Sequence, residues 1–199
     1  PSQFGMGLNW NEGVERASLL GGKTADAGGF LRWEMEGSET VDPNLEAFKI
    51  LRNRFEGRVG CVLQSMLHRT ADDARTLLAE NGPLNVRLVK GVYVEPPEIA
   101  FVDSEAITAS YLETLEILLE GGAWVGVATH DPVITGALHT LLASHPEYED
   151  QCEVQMLLGV QESLRVETRE AGIPVRVYLP YGSAWRAYVL RRLRQNPRL

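Results

Sequence analysis

Short apolar runs alternate with helix-like stretches from one end of this chain to the other, and that alternation limits the fold more than any single residue does. The runs are Phe30 to Glu36, Val59 to Gln64, Val86 to Val92, Trp124 to Thr129, Cys152 to Leu157 and Val175 to Pro180, with a shorter candidate at Gln3 to Leu8. The stretches between them carry helix start signals. Asp42-Pro43 and Asp131-Pro132 each pair an N-cap residue with a proline at the first helical position, and Thr70 with Asp73 resembles a capping box. Pro96-Pro97 closes a loop ahead of a long helix around Ile107 to Leu119. Gly28-Gly29, Gly121-Gly122 and Gly172 supply the left-handed residues that end helices.

Strand and helix in strict alternation give a parallel sheet with helices outside it. The strand ends recur about every 30 residues, the size of one βαβ unit. Seven such strands predict an α/β fold of the (β/α)8, TIM-barrel type, which needs roughly 250 residues. The 199-residue chain opens at Pro1-Ser2-Gln3 with no initiator Met. The expectation is therefore a single barrel catalytic domain over residues 1–199, incomplete at its N-terminus, with the first strand and preceding helices absent. An open doubly wound sheet is the rival, weakened because neither G-x-G-x-x-G nor a P-loop follows any strand.

Composition excludes several functions. A formal net charge of −8 and a pI near 5.1 leave no basic footprint for nucleic acid. Cys61 and Cys152 each sit inside an apolar run, so both are expected to be buried, reduced thiols of a cytoplasmic protein. There is no signal peptide and no apolar run long enough to span a bilayer.

In a barrel of this type the active face is built at the C-terminal ends of the strands. Read in order, those ends carry Glu34, Gln64, Arg87 with Lys90, Thr129-His130, Gln155 and Tyr178, each after an apolar stem. No metal site is expected, because only His130 of the four histidines stands at a strand end. Farther on, Tyr188, Arg191, Arg192 and Gln195 fall at helical spacing on one face, opposite Val189, Leu190 and Leu193. Two adjacent guanidiniums beside a phenol make a fork for a small carboxylate.

Arg87-Leu88-Val89-Lys90-Gly91-Val92-Tyr93, Ala128-Thr129-His130-Asp131, Val154-Gln155-Met156-Leu157-Leu158-Gly159, Val175 to Gly182 and Tyr188-x-x-Arg191-Arg192 together resemble the proline dehydrogenases. These are FAD-dependent barrels that oxidise L-proline to Δ1-pyrroline-5-carboxylate and pass electrons to a quinone. The resemblance implies a distorted (β/α)8 barrel whose last helix lies over the pocket. It places Arg191 and Arg192 on the substrate carboxylate, with Tyr93, Tyr178 and Tyr188 walling the proline ring. It assigns Met35, Gln64, Lys90, Gly91, Val92, Thr129 and His130 to the flavin, and sets Arg87 near its reactive edge. Glu34 takes the place of the family's acid. A peripheral contact with the inner face of the membrane is implied by the resemblance alone.

The chain departs from the family pattern in three places. Glu34 stands where Asp is usual, Gln195 where Glu is usual, and the family's substrate lysine falls just before the segment that resembles Pro1-Ser2-Gln3. Two other functions compete on the residues themselves. Lys90 at a strand end suits a Schiff-base lyase, and a non-catalytic barrel binding a carboxylate metabolite would need only the arginine fork.

Overall fold

The computed structural model describes residues 1–179, 181–183, 185, 186 and 190. Six strands form one parallel sheet: β1 (Leu31–Trp33), β2 (Val59–Gln64), β3 (Asn85–Val89), β4 (Trp124–Ala128), β5 (Cys152–Leu157) and β6 (Val175–Tyr178). Their order in the sheet is their order in the chain. That is the sequential winding of a TIM-type barrel, here a curled half-barrel. The crossovers are α1 (Trp10–Asp26), α2 (Val41–Arg54), α3 (Thr70–Leu78), α4 (Ser104–Glu120), α5 (Pro132–Ser144) and α6 (Glu162–Glu170); α1 leads into β1, and each later helix joins two successive strands.

The strand candidate at Gln3 to Leu8 is not a strand. Ser2–Phe4 is a 3-10 turn, which Gly5 closes at φ 78°, a left-handed value that glycine adopts without penalty. Two helix starts also differ from expectation. α2 begins at Val41, one residue ahead of Asp42. At α3 the Thr70 hydroxyl donates back to the Gln64 carbonyl instead of capping its own helix. The Asp131-Pro132 start holds: Asp131 Oδ1 accepts the Val133 N–H at 2.8 Å. Asp103 likewise caps α4 by accepting N–H groups from Glu105 and Ala106.

The two faces of the sheet differ in chemistry. Trp33, Cys61, Leu63, Val86, Leu88, Val125, Val127, Val154 and Met156 point toward the helices and are buried in one apolar core. Each such aliphatic side chain contributes roughly 1.5–3 kcal/mol by leaving water. Tyr111 of α4 enters this layer completely and donates its hydroxyl to the Leu88 carbonyl at 2.8 Å. Arg52 of α2 is also buried, donating to the carbonyls of Leu77, Pro83 and Gly82, so it ties its helix to the turn that leads into β3.

The residues between those positions face the inside of the curl and are largely polar. Arg32, Glu34, Gln64, Asn85, Arg87, Glu153, Gln155, Arg176 and Tyr178 all fall on this concave side, as the paired register requires. Two glycines make room for the longer ones. A Cβ on Gly60 would come 2.4 Å from Arg32 Nη1, and one on Gly126 would come 2.5 Å from Gln155 Nε2.

Candidate active site

The concave face opens at the C-terminal ends of the strands into a cleft of about 370 Å³, within the usual ~300–1,000 Å³ of small-molecule sites. Glu34, Arg87, His130, Gln155 and Tyr178 supply its polar groups, with Val89, Ala128 and Leu157 between them. All five polar residues stand at the strand ends picked out from the sequence.

Arg87 is the organising group. Its Nε donates to Gln155 Oε1 at 2.7 Å and its Nη1 to Glu34 Oε1 at 2.5 Å. Glu34 thus has an arginine partner, as an acid of this site should, and that partner is Arg87 of β3. The proposed clamp of Arg191 and Arg192, together with Tyr188 and Gln195, lies outside the described residues. The third guanidinium nitrogen of Arg87, Nη2, carries no hydrogen bond among the described residues.

Below this layer lies a second charge. Arg32 Nη2 donates to Asn85 Oδ1 at 2.5 Å, and its Nη1 reaches the Cys61 and Asn85 carbonyls at 3.0 and 3.2 Å. Burial, and then the nearby charge of Arg87, lower the Arg32 guanidinium to about 10. Glu153 sits on the same face, buried, and takes hydrogen bonds from Arg176 of β6 and from Gln155.

His130 is fixed by the main chain. Its Nε2 accepts the Leu157 N–H at 2.8 Å, so that nitrogen bears no proton and the neutral ring carries its proton on Nδ1. Lys90 turns toward the helices. Its Nζ donates to Asp131 Oδ2 at 2.6 Å and to Thr108 Oγ1 at 2.9 Å. An amine held this way is a charged ion-pair member, and a Schiff-base nucleophile has to be neutral.

The remaining sequence candidates divide. Gly91 has φ 111°, and the segment after it, Val92-Tyr93-Val94, is exposed beside the acidic side chains. Partial burial, followed by the charges of Glu36, Glu34 and Glu39, pushes the Tyr93 phenol above its ordinary value. Met35, Gln64 and Thr129 are buried and are not cleft walls. Met35 Sδ accepts from Asn44, Gln64 Nε2 donates to the Glu36 carbonyl, and Thr129 Oγ1 accepts the Asp131 N–H. Arg32, Asn85, Glu153 and Arg176 were not named as site residues from the sequence, and Asp131 was named only as a helix cap and as part of the Ala128 to Asp131 motif. Four of them stand two residues before Glu34, Arg87, Gln155 and Tyr178, so the period-2 rule for a strand would have found them.

The sequence profile of the proline dehydrogenases matches residues 8–198. The chain belongs to the proline dehydrogenase family. It is 37% identical over 201 residues to the proline dehydrogenase of Deinococcus radiodurans, an alignment covering 99% of this chain and 64% of that one. It is 33% identical over 164 residues to proline dehydrogenase 1 of Bacillus subtilis, covering 82% of this chain and 53% of the relative. The chain thus spans between half and two thirds of the length of these curated relatives. Among solved structures, proline utilization A of Bdellovibrio bacteriovorus, inactivated by N-propargylglycine, has the same fold. The TM-score is 0.79 at 24% identity, over 92% of this chain and 22% of that one. The cleft is thus lined from the ends of β1, β3, β4, β5 and β6 in a sheet with this family's fold. Among the described residues, no helix is long and apolar enough to cross a membrane.

Proposed function

We propose that this chain carries the catalytic cleft of a proline dehydrogenase that uses FAD to oxidise L-proline to Δ1-pyrroline-5-carboxylate, the first step of proline catabolism, with a quinone as electron acceptor. One observation carries the reading: Arg87 stands at the cleft, held at Nε by Gln155 and at Nη1 by Glu34, with no hydrogen bond at Nη2 among the described residues. A guanidinium fixed at two nitrogens offers its third as a directed donor, already oriented before any ligand arrives.

The residues present fit a planar redox ring. The cleft combines that donor with apolar walls from Val89, Ala128 and Leu157 and with the Tyr178 ring at one side. When bound, a flavin supplies the two-electron acceptor for a hydride equivalent from the substrate carbon. The rest falls to the chain. Arg87 offers positive charge and an N–H where negative charge accumulates during the reaction. Glu34 keeps that guanidinium from swinging away, and its extra methylene relative to the usual Asp is taken up in reaching β3. Tyr178 and the exposed Tyr93 wall the substrate ring, and Arg191 and Arg192 hold its carboxylate. Orientation of this kind accounts for much of an enzyme's rate enhancement. Gly91, Val92 and His130 would shape the remainder of the cofactor site at the same rim of the sheet, while Lys90 and Thr129 would act from behind it, through the Asp131 contacts that hold the His130 segment.

The test is chemical. The purified protein, given L-proline and a soluble quinone, should form a product two hydrogens lighter than proline by mass spectrometry, with matching quinone reduction. Proline recovered unchanged beside unreduced quinone, from protein that holds flavin, would refute the reading.

A further inference from the structure

One line of hydrogen bonds runs across the concave face from β6 to the end of β1. Arg176 donates through Nε and Nη2 to the Glu153 carboxylate, the latter at 2.9 Å. Gln155 Nε2 donates to the same carboxylate at 2.9 Å, and Gln155 Oε1 accepts from Arg87 Nε at 2.7 Å. Arg87 Nη1 then reaches Glu34. Gln155 spans the width of β4 to make this link, and Gly126 is the slot it passes through, since a Cβ there would meet its amide at 2.5–2.7 Å.

The direction of the amide is not free. A carboxylate only accepts and a guanidinium only donates. With Glu153 ionised, the NH2 end of Gln155 must face it, and the oxygen must face Arg87. A flipped amide would set oxygen against oxygen at Glu153 and N–H against N–H at Arg87. Glu153 and Gln155 are 7% and 8% exposed, so water is poorly placed to rescue the flipped form. Arg176 alone does not explain a buried acid here, because its own side chain is 67% exposed and has access to solvent.

We infer that Glu153 and Gln155 are positioning residues for Arg87: the carboxylate sets the Gln155 amide, and the amide sets the rotation of the guanidinium that faces the cofactor. The inference rests on the reading that Arg87 meets the flavin. Neither residue touches the reacting atoms. Their part is to keep Nη2 aimed into the cleft when Glu34 alone would leave the guanidinium able to turn about a single contact.

Three variants of the flavin-loaded enzyme separate the possibilities: Arg87→Met, Gln155→Met and Glu153→Gln, each measured for flavin midpoint potential, single-turnover reduction rate and affinity for a non-oxidisable proline analogue. A misaimed donor stabilises the reduced cofactor less. Gln155→Met and Glu153→Gln should therefore both shift the potential negative, in the direction of Arg87→Met but by less. Both should slow reduction roughly ten-fold, with analogue affinity within two-fold of the parent. The double variant Glu153→Gln/Gln155→Met should be no slower than Gln155→Met alone, because the amide already transmits the whole effect. Should Glu153→Gln fail to fold, Gln155→Met decides by itself, since it removes the acceptor facing Arg87 and adds no charge. Parental potential and rate in Gln155→Met, beside a clear effect of Arg87→Met, overturn the positioning role and leave the role of Arg87 intact. A parental potential in Arg87→Met overturns the reading of Arg87 itself.

Discussion

Lys90 and Asp131 form an ion pair at 2.6 Å that joins the end of β3 to the start of α5. Asp131 does two jobs with its two oxygens: Oδ2 takes the lysine, and Oδ1 caps the helix at the Val133 N–H. Desolvation works to raise the Asp131 carboxyl, but the Lys90 and Val133 hydrogen bonds outweigh it and hold the group below its ordinary value. A pair so placed fixes the segment from Thr129 to Asp131, and His130 with it, against the cleft.

The two jobs can be separated. Asp131→Asn keeps a good cap and loses the ion pair; Asp131→Ala loses both. We expect Asp131→Ala to cost about 0.5–2 kcal/mol more than Asp131→Asn in denaturant unfolding, the range for a lost cap. The pH dependence has a definite sign. A carboxyl lowered on folding stabilises the protein above its unfolded value, and that contribution fades as pH falls through the lower folded one. Stability curves of the parent and Asp131→Asn should therefore converge on acidification. A gap that stays constant down to strongly acidic pH would count against the ion pair.

On the proposed placement of the flavin beside Arg87, which Glu34 and Gln155 hold at the cleft, replacement of Arg87 with Met should lower flavin retention or slow flavin reduction far more than it changes binding of a proline analogue. Flavin content by absorbance and stopped-flow reduction under anaerobic conditions check this. Full flavin with a parental reduction rate would remove Arg87 from the catalytic group.

Arg191→Met and Arg192→Met should show the opposite pattern. If the pair holds the substrate carboxylate as proposed, each variant would delete a charged hydrogen bond worth about 1.5–3 kcal/mol, and affinity for proline and for carboxylate inhibitors should fall roughly 10- to 150-fold at unchanged flavin content. Parental affinity in both variants would show that the carboxylate is held elsewhere.

The two thiols should be inert in the native protein. Burial pushes Cys61 up to about 12 and Cys152 up to about 11, so little reactive thiolate exists near neutral pH. Iodoacetamide at pH 8 should label neither until denaturant is added. Labelling of Cys61 in the folded state would mean that the layer between the sheet and its helices opens readily.

What could be read from the sequence follows its periodicities. The six strands announce themselves as apolar runs because their helix-facing side chains pack on the core, fully in β2 to β5 and partly in β1 and β6, and their polar ends mark the rim of the cleft. The seventh run, Gln3 to Leu8, failed because Gly5 and Gly7 favour a turn over an extended segment, and no neighbouring strand pairs with it. Pairings across strands were harder. Glu34 finds Arg87 two strands away, and Gln155 finds it two strands away on the other side; the curl of the sheet decides this, not the local pattern. Thr70 shows the same limit at small scale: its hydroxyl can cap a helix or bond back to Gln64, and only packing selects the second.

The most direct test of the central claim is the absorption spectrum of the purified protein, titrated anaerobically with L-proline. The account predicts bound flavin whose visible bands bleach on adding proline and return when a quinone is supplied. Flavin bands that stay oxidised at saturating proline, in protein that binds proline measurably, would contradict it.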